Sequence, residues 1–460
     1  MLAWPALVAA RLLGLPRRAM SLPAVCALSA CIVVLAWAIA TSWHDVHRYA
    51  GTDLRARVVG ARLLAAGESP YFTLQESSTP EAFVDPDRYY TSVTRCTYTP
   101  ALLALYLPFA AMPYPDQRVL WLVLEWCAFV ASVVLLTRSI PGSRAKLAFA
   151  ATALVFFAGD WSMRLHVERG QYYVFLLLLS ALAIFLGIGA SSRGDRFIGG
   201  LPLGVAAALR PSFVVAAVAL SCLRQWRTCA GMALGAALAV VVTLPIAGAS
   251  SWPEFFRLSE AYEVSRVEGP GAMDPPGAPY VYPGRRPSGG DRVVVDGADF
   301  TERLPAKSTT VTLFSAYNRA PAMLRALVPP QRVPGLARAV ALVVCALAAV
   351  LCLRARRPMN LRHALGCCFA LALAIEYCLP VRFSYADPLY LAPLAVFTPR
   401  MIRGRCRAFA VALTLAMASS LLMPSNATSA LRSLSLLAAV CGSALVVLNV
   451  PRAAPPTLDG

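Results

Sequence analysis

Apolar runs dominate the chain, broken by short basic connections and by two longer polar segments. The first run covers residues 22–42 and follows Arg11, Arg17 and Arg18. It is long enough to cross a bilayer core, which takes roughly 20 residues. Ala38-Ile39-Ala40 fits a signal-peptidase site, but the length of the run and the many later apolar segments predict an uncleaved signal anchor. Further runs fall at 101–112, 119–136, 147–161, 172–188, 201–223 and 232–246, and then at 336–353, 364–379, 388–397, 408–423 and 434–450. Counted as one crossing each, they make twelve. The run 101–112 is bracketed by Pro100 and Pro113, and 201–223 is interrupted by Arg210-Pro211. If these two are re-entrant or half-depth elements, the count falls to ten. Such backbone survives in a membrane only where it is buried in protein or lines a cavity. The predicted fold class is all-α: one polytopic membrane domain over residues 1–460, with about 10–12 transmembrane helices.

The polar segments are 43–96 and 249–333. Within the first, Leu54, Val58, Ala61, Leu64 and Ala65 share a helical face, and Arg55, Arg57 and Arg62 lie off it. Gly67 is placed to end this helix and Pro70 prevents its continuation. The pattern predicts an amphipathic helix lying on the membrane, with Asp53 at its N-terminal end, where a carboxylate caps well. The second segment is rich in Pro and Gly between 269 and 290, as a lid or a connector would be.

Composition supports the membrane reading: 58% of residues are hydrophobic and 14% charged, against about half and one quarter in soluble domains. The net charge of +18 suggests nucleic acid until it is mapped along the chain. Segment 43–96 carries six basic and seven acidic residues, and 249–333 carries ten and nine. The whole excess therefore belongs to the membrane segments and their short connections, which is the positive-inside pattern. It predicts both termini in the cytoplasm, both polar segments outside, and no nucleic-acid partner. The twelve-crossing path puts the basic connection 138–146 outside, against that rule. The ten-crossing path avoids this and brings the loop from His166 to Gln171 to the side of Asp53.

Thirteen cysteines lie almost entirely in apolar runs, and there are four histidines, so neither a disulfide framework nor a metal centre is expected. No internal repeat is present, which weighs against transporter folds built from two similar halves.

The stretch from Asp53 to Tyr71 resembles the first-loop motif of glycosyltransferase family 87, in which an Asp precedes a short helix closed by a Gly-x-x-Pro-Tyr turn, here Gly67, Pro70 and Tyr71. Tyr98-Thr-Pro100 with Leu107-Pro108-Phe109, Gly170-Gln171, Arg210-Pro211, and Asn318 with Arg325 are similar to the family in order and spacing. The family's late His motif is not matched: that stretch reads Leu379-Pro-Val-Arg-Phe-Ser-Tyr-Ala-Asp387. The resemblance implies a GT-C fold and an inverting hexosyltransferase of the bacterial inner membrane. Such an enzyme takes a sugar, mannose above all, from a polyprenyl-phosphate donor and passes it to a lipid-linked or cell-envelope glycan on the outer face. No cofactor or divalent metal is implied.

Under this reading Asp53 is the general base that removes the acceptor hydroxyl's proton. Asp45, beside His44 and His47, is its competitor. Arg55, Arg57, Arg210 and Arg382 are candidates for the lipid phosphate, since a guanidinium offers a bidentate fork. Arg210 lies mid-segment, where an unpaired charge costs at least ~2.5 kcal/mol, so it either serves a ligand or pairs with an acid. Glu376 is intramembrane by the same reading. Gln171, with Glu168, and Tyr71 are substrate-binding candidates. Tyr89, Tyr90 and Tyr98 have two readings, stacking on a sugar or sitting in the interfacial belt, and the belt suits them better. Two other functions fit an all-helical membrane chain. A secondary transporter or lipid flippase would use Arg210 and Glu376 at a midplane site, and a lipid-diphosphate glycan polymerase or ligase would transfer a whole glycan block.

Overall fold

The computed structural model describes residues 3–16, 20–48, 52–71, 80, 83, 96–188, 193–268, 294–295, 298–299, 328–329, 332–354, 359–378, 384–403, 406–422 and 426–449. Tyr89, Tyr90, Asn318, Arg325, Arg382 and most of the second polar segment lie outside the described residues.

Each apolar run folds as helix, because a backbone in lipid has to satisfy its N–H and C=O groups within the segment. In chain order these are α1 (Ala3–Leu12), α2 (Leu22–Arg48), α3 (Thr52–Ala65), α4 (Pro100–Ala104) and, after a 3-10 turn at Leu107–Phe109, α5 (Tyr114–Ser139). Then come α6 (Ser143–Ala151), continued in π geometry over Thr152–Phe157, α7 (Trp161–Glu168), α8 (Tyr173–Ile188), α9 (Arg193–Ile198) and α10 (Leu201–Leu209). A 3-10 turn at Pro211–Val214 leads to α11 (Val215–Cys222), α12 (Trp226–Ala247) and α13 (Ser251–Glu268). A two-residue pairing of Val294–Val295 with Ala298–Asp299 is the strand structure among the described residues. The chain closes with α14 (Val333–Arg354), α15 (Leu361–Cys378), a 3-10 segment Ser384–Tyr390, α16 (Leu391–Arg403), α17 (Arg407–Leu422) and α18 (Asn426–Asn449).

Six of the described helices are long and apolar enough to span a membrane by themselves: Leu22–His47, Tyr114–Ser139, Trp226–Ala247, Gly335–Arg354, Leu361–Cys378 and Leu431–Leu448. The pair α7–α8 makes a seventh if counted as one span bent by 116°. The chain is a polytopic helical membrane protein. Its centre is α5 against α8, with Leu122, Phe129, Val133 and Leu136 meeting Val174, Leu177, Ala181 and Ile184 in one buried cluster. The span α15 is sunk among α8, α11, α14, α16 and α18 and is almost wholly buried.

Side-chain contacts fix which ends of the helices lie together. Arg138 Nε donates to the Leu12 carbonyl (2.8 Å) and Lys146 Nζ to that of Gly14 (2.9 Å), so the α5–α6 connection sits with the segment preceding α2. Asp53, just past the other end of α2, meets Arg169 and Gln171. At 1.5 Å per residue, α2 separates these two groups by about 40 Å. These contacts match the grouping of ends expected on the ten-crossing path, in which the basic connection joins the N-terminus and the 166–171 loop joins Asp53, although six described helices, or seven with the bent pair, are long and apolar enough to span by themselves.

The same arrangement holds at the two broken runs. Residues 100–112 stay at the Asp53 end, where Arg62 Nε donates to the Ala110 carbonyl (2.9 Å). The other break makes a turning point. Gly200 faces Thr228 and Met232, and Gly204 faces Met232 and Ala236, so α10 and α12 run parallel and α11 has to return between them. Arg210, in extended conformation, sits at that reversal. The α10–α12 crossing is close enough that a Cβ on Gly204 would lie 2.0 Å from the Met232 carbonyl oxygen.

One expectation about α3 is corrected. Leu54, Val58, Ala61 and Leu64 are buried as expected, but so are Arg55, Arg57, Val59 and Leu63. The helix is packed inside the protein on nearly all sides and does not lie flat on a membrane surface. Its arginines can be buried because ring faces and carbonyls receive them, as described next.

Candidate active site

The site begins with two helix ends that meet. At the end of α7, Gly170 adopts φ +62°, its N–H bonds the Val167 carbonyl (2.9 Å), and the Gln171 N–H bonds that of His166 (2.9 Å). This paired closure satisfies the last carbonyls of the helix and needs a residue that accepts left-handed backbone. A Cβ at Gly170 would also lie 2.8 Å from Leu54 Cβ. Glycine therefore lets the turn press against the first turn of α3. There the Arg169 carbonyl accepts the Asp53 and Leu54 N–H groups (3.3 and 3.2 Å). A backbone carbonyl thus does the work expected of an Asp53 cap, and the Asp53 carboxylate points elsewhere. The far end of α3 closes in the same manner at Gly67, with Glu68 N–H to Leu63 (2.9 Å) and Gly67 N–H to Leu64 (3.0 Å).

The Asp53 carboxylate is 19% exposed. Its Oδ2 accepts from Gln171 Nε2 and lies 3.6 Å from Arg169 Nη1. Gln171 is buried, and its side-chain oxygen accepts from Arg57 Nη2 (3.2 Å). Arg57 is fully buried, and its Nη1 donates to Tyr106 Oη (2.8 Å) and to the Gly170 carbonyl (2.5 Å). The guanidinium also lies over the rings of Tyr98 (4.6 Å), Tyr172 (5.4 Å) and Tyr106 (5.8 Å). Burial pulls the Arg57 guanidinium down, but Tyr106, Tyr98 and the Asp53 charge more than offset it, so it stays charged. Burial, and to a smaller degree the Asp53 charge, holds the Tyr98 hydroxyl above its ordinary range. Tyr385 is raised by burial, then by Tyr173 and Asp53, and Arg169 lies over its ring (5.9 Å). One partly open carboxylate therefore sits at the edge of a wall made of tyrosines and guanidinium groups.

The structure distributes the other candidates around this wall. Asp45, the competitor, is buried and held by Arg164, with Nε to Oδ2 at 2.5 Å and Nη2 to Oδ1 at 3.0 Å. Tyr71 is buried and donates to the Tyr98 carbonyl (2.9 Å), which ties the end of α3 to the strand of chain entering α4. Arg55 is buried in the packing of α3. Arg210 binds Glu376 through both oxygens (2.9 Å each), Ser212 donates to the same carboxylate, and the guanidinium lies over Tyr173 (5.6 Å). Of the two readings of Arg210, pairing with an acid is what the structure shows, and the acid is the other intramembrane charge. Arg57 and Arg210, expected at a lipid phosphate, are thus engaged with protein partners. Arg382 lies outside the described residues.

Sequence reasoning missed several members of this region. Arg169 is beside Asp53, and its only signal was its place next to Gly170-Gln171. Glu125 and His166 form a fully buried pair (Nδ1 to Oε1, 3.3 Å) under the turn, with His166 Nε2 accepting the Val174 N–H (3.3 Å). Asp160 caps α7 through the Ser162 N–H (2.7 Å) and also binds Arg432. Arg432 reaches Asp387 as well (2.7 Å), where Ser433 donates to the same oxygen (2.9 Å). Both partners of Arg432 are buried. No spacing rule links residues more than 200 positions apart. Among the described residues no group of three or more metal-ligating side chains forms.

No curated protein matches the chain. The model of glycosyltransferase family 87 matches residues 97–289, a stretch that contains the Tyr98–Pro100, Leu107–Phe109, Gly170-Gln171 and Arg210-Pro211 motifs. Asp53 precedes the matched stretch but is bound to it through Gln171 and Arg169. This match, over about two fifths of the chain, supports membership of glycosyltransferase family 87.

Proposed function

We infer that this membrane glycosyltransferase moves a single sugar, mannose, from a polyprenyl-phosphate donor to a lipid-linked or cell-envelope glycan. The transfer takes place on the outer face of a bacterial inner membrane, with both termini in the cytoplasm. Asp53 is the general base. The acceptor hydroxyl oxygen attacks the anomeric carbon and its proton passes to Asp53. The bond from the anomeric carbon to the phosphate oxygen breaks, and the phosphate leaves with the electron pair. Attack opposite the leaving group inverts the centre. The lipid phosphate is already a fair leaving group, so a second, protonated carboxylate is not needed as it is in glycoside hydrolysis. Neither is a divalent metal invoked, because guanidinium groups supply the positive charge.

The observation that carries this reading is the setting of Asp53: a partly exposed carboxylate with one oxygen held by Gln171 and Arg169 beside tyrosine rings. Arg169 is the guanidinium nearest to that carboxylate among the described contacts, and it takes the place among phosphate candidates that Arg57 and Arg210 leave. A transporter driven through Arg210 and Glu376 would need these two charges to exchange partners, whereas here they satisfy each other.

Membranes holding the protein, given labelled polyprenyl-phosphate mannose, are expected to move label into glycolipid. Asp53→Asn is expected to lower transfer by about 100-fold or more, the scale of general-base loss. A well-folded Asp53→Asn protein that transfers sugar at the parental rate sinks the assignment. A product enlarged by a whole glycan block instead of one hexose identifies a polymerase or ligase.

A further inference from the structure

We propose that Gln171 is a positioning residue for Asp53, with its amide locked in one orientation by the buried Arg57. This rests on Asp53 being the base. An amide presents an oxygen that accepts and a nitrogen that donates, and either end can face a given neighbour. Arg57 has only donors, so the Gln171 oxygen has to face it, and the N–H is then aimed at Asp53. Reversal would set donor against donor at Arg57 and oxygen against a carboxylate at Asp53. Both arrangements are unfavourable in a dry interior.

Arg57 can act as a lock because it is itself immobile. Tyr106, the Gly170 carbonyl and three ring faces hold the guanidinium, and none of it is exposed. The backbone of Gln171 is fixed independently, by its N–H to His166 and by Trp121 Nε1 donating to its carbonyl (3.2 Å). A side chain clamped at both its backbone and its amide oxygen delivers its N–H to one place. Among the described residues, the contacts to Asp53 from Gln171 and Arg169 both fall on Oδ2. In this arrangement Oδ1 is the oxygen assigned to the acceptor's proton, and the bond from Gln171 holds Oδ2.

Without the lock, the carboxylate is free to turn about its own bond and its proton-accepting oxygen loses its aim. Gln171→Met keeps length and burial but removes both polar ends. Gln171→Glu keeps an acceptor for Arg57 and turns the Asp53 side into a like-charge contact.

The test uses the purified full-length protein in three variants, Gln171→Met, Gln171→Glu and Asp53→Asn. Labelled polyprenyl-phosphate mannose is the donor, with rates taken as a pH profile between about pH 5 and 9. Gln171→Met is expected to lower kcat about 10- to 100-fold with KM nearly unchanged, the usual scale for losing an orienting partner. Gln171→Glu is expected to move the acid limb of the profile up by about one pH unit or more and to recover rate at alkaline pH. A second readout needs no sugar. The Asp53 carboxyl band, taken as the infrared difference between the parent and Asp53→Asn, should titrate at higher pH in Gln171→Glu, where a like charge faces it. The proposal is overturned if the Gln171→Met and Gln171→Glu proteins show the parental pH profile and the parental Asp53 band. If Gln171→Met fails to fold, Gln171→Glu and the infrared titration decide it. If Asp53→Asn retains transfer, the base assignment itself falls. If Asp53→Asn is inactive while the Gln171 variants behave as the parent, only the positioning role is lost.

Discussion

Gly170 shows how much of the site depends on a missing side chain. Its φ of +62° and the 2.8 Å approach that a Cβ would make to Leu54 both exclude alanine. The left-handed backbone alone costs about 1–2 kcal/mol for an L-residue, and overpacking adds about as much again. Gly170→Ala is expected to lower the melting temperature in detergent and to reduce transfer by more than tenfold, since the turn carries Arg169 and Gln171 away from Asp53. A thermally unchanged, fully active protein would contradict this. Cys96 offers a check on how tightly the neighbourhood closes. It is buried, and burial pushes its thiol up to about 12, so almost no thiolate forms at neutral pH. Alkylation of Cys96 at about pH 8 should require unfolding, and rapid labelling of the native protein would count against the packing described. At this scale the sequence was partly readable. Asp53 and Gln171 stand out by composition and context, and the structure joins them. The destinations of Arg57 and Tyr71 were not readable, because nothing local tells a buried arginine on tyrosine faces from one turned toward solvent.

Helix ends and breaks were the most legible elements. Gly67 closes α3 where the pattern predicts, and Arg210-Pro211 breaks its run at the predicted point. Missing from any one-segment pattern was the partner helix. Gly200 and Gly204, at the start of α10, and Gly231 and Gly235, on α12, are each spaced four apart, and their meaning appears only when the two helices cross. Gly235→Leu would drive a side chain onto the Leu201 carbonyl, 2.2 Å from the new Cβ, so the helices would have to separate. The expected loss is about 3 kcal/mol or more, near the upper range for single substitutions. A thermal melt or denaturant titration of the purified protein measures it. The Arg210–Glu376 pair makes a second prediction. Glu376→Gln leaves a charge in a low-dielectric site and should be strongly destabilising, by about 3–5 kcal/mol, whereas Arg210→Met together with Glu376→Met should be far milder. Equal destabilisation by the single and double changes would mean that the pair is not isolated from other partners.

The path of the whole chain is set by which ends share a side. Basic residues and the rule they follow narrowed it to two arrangements, and contacts between residues over 100 positions apart group the helix ends as one of them requires. In a cysteine-free background, Arg144→Cys and Glu68→Cys are expected to react with an impermeant maleimide from opposite sides of the membrane. Labelling of both from one side would refute the arrangement.

The contacts of Arg432 carry this one step further. Helix α7 is a rod only eight residues long, about 12 Å, with Asp160 at its beginning and the Gly170-Gln171 turn at its end. Arg432, from the last described helix, anchors the near end of that rod to the segment bearing Asp387. The two ends of α7 are thus held from distant parts of the chain, Asp160 by Arg432 and the Gly170-Gln171 turn by Asp53. The stretch matched by the family model stops at residue 289, yet the foothold of the site lies at residue 432. A protein cut after the matched stretch would retain the motifs up to Arg210-Pro211 and lose Arg432, which holds the start of α7.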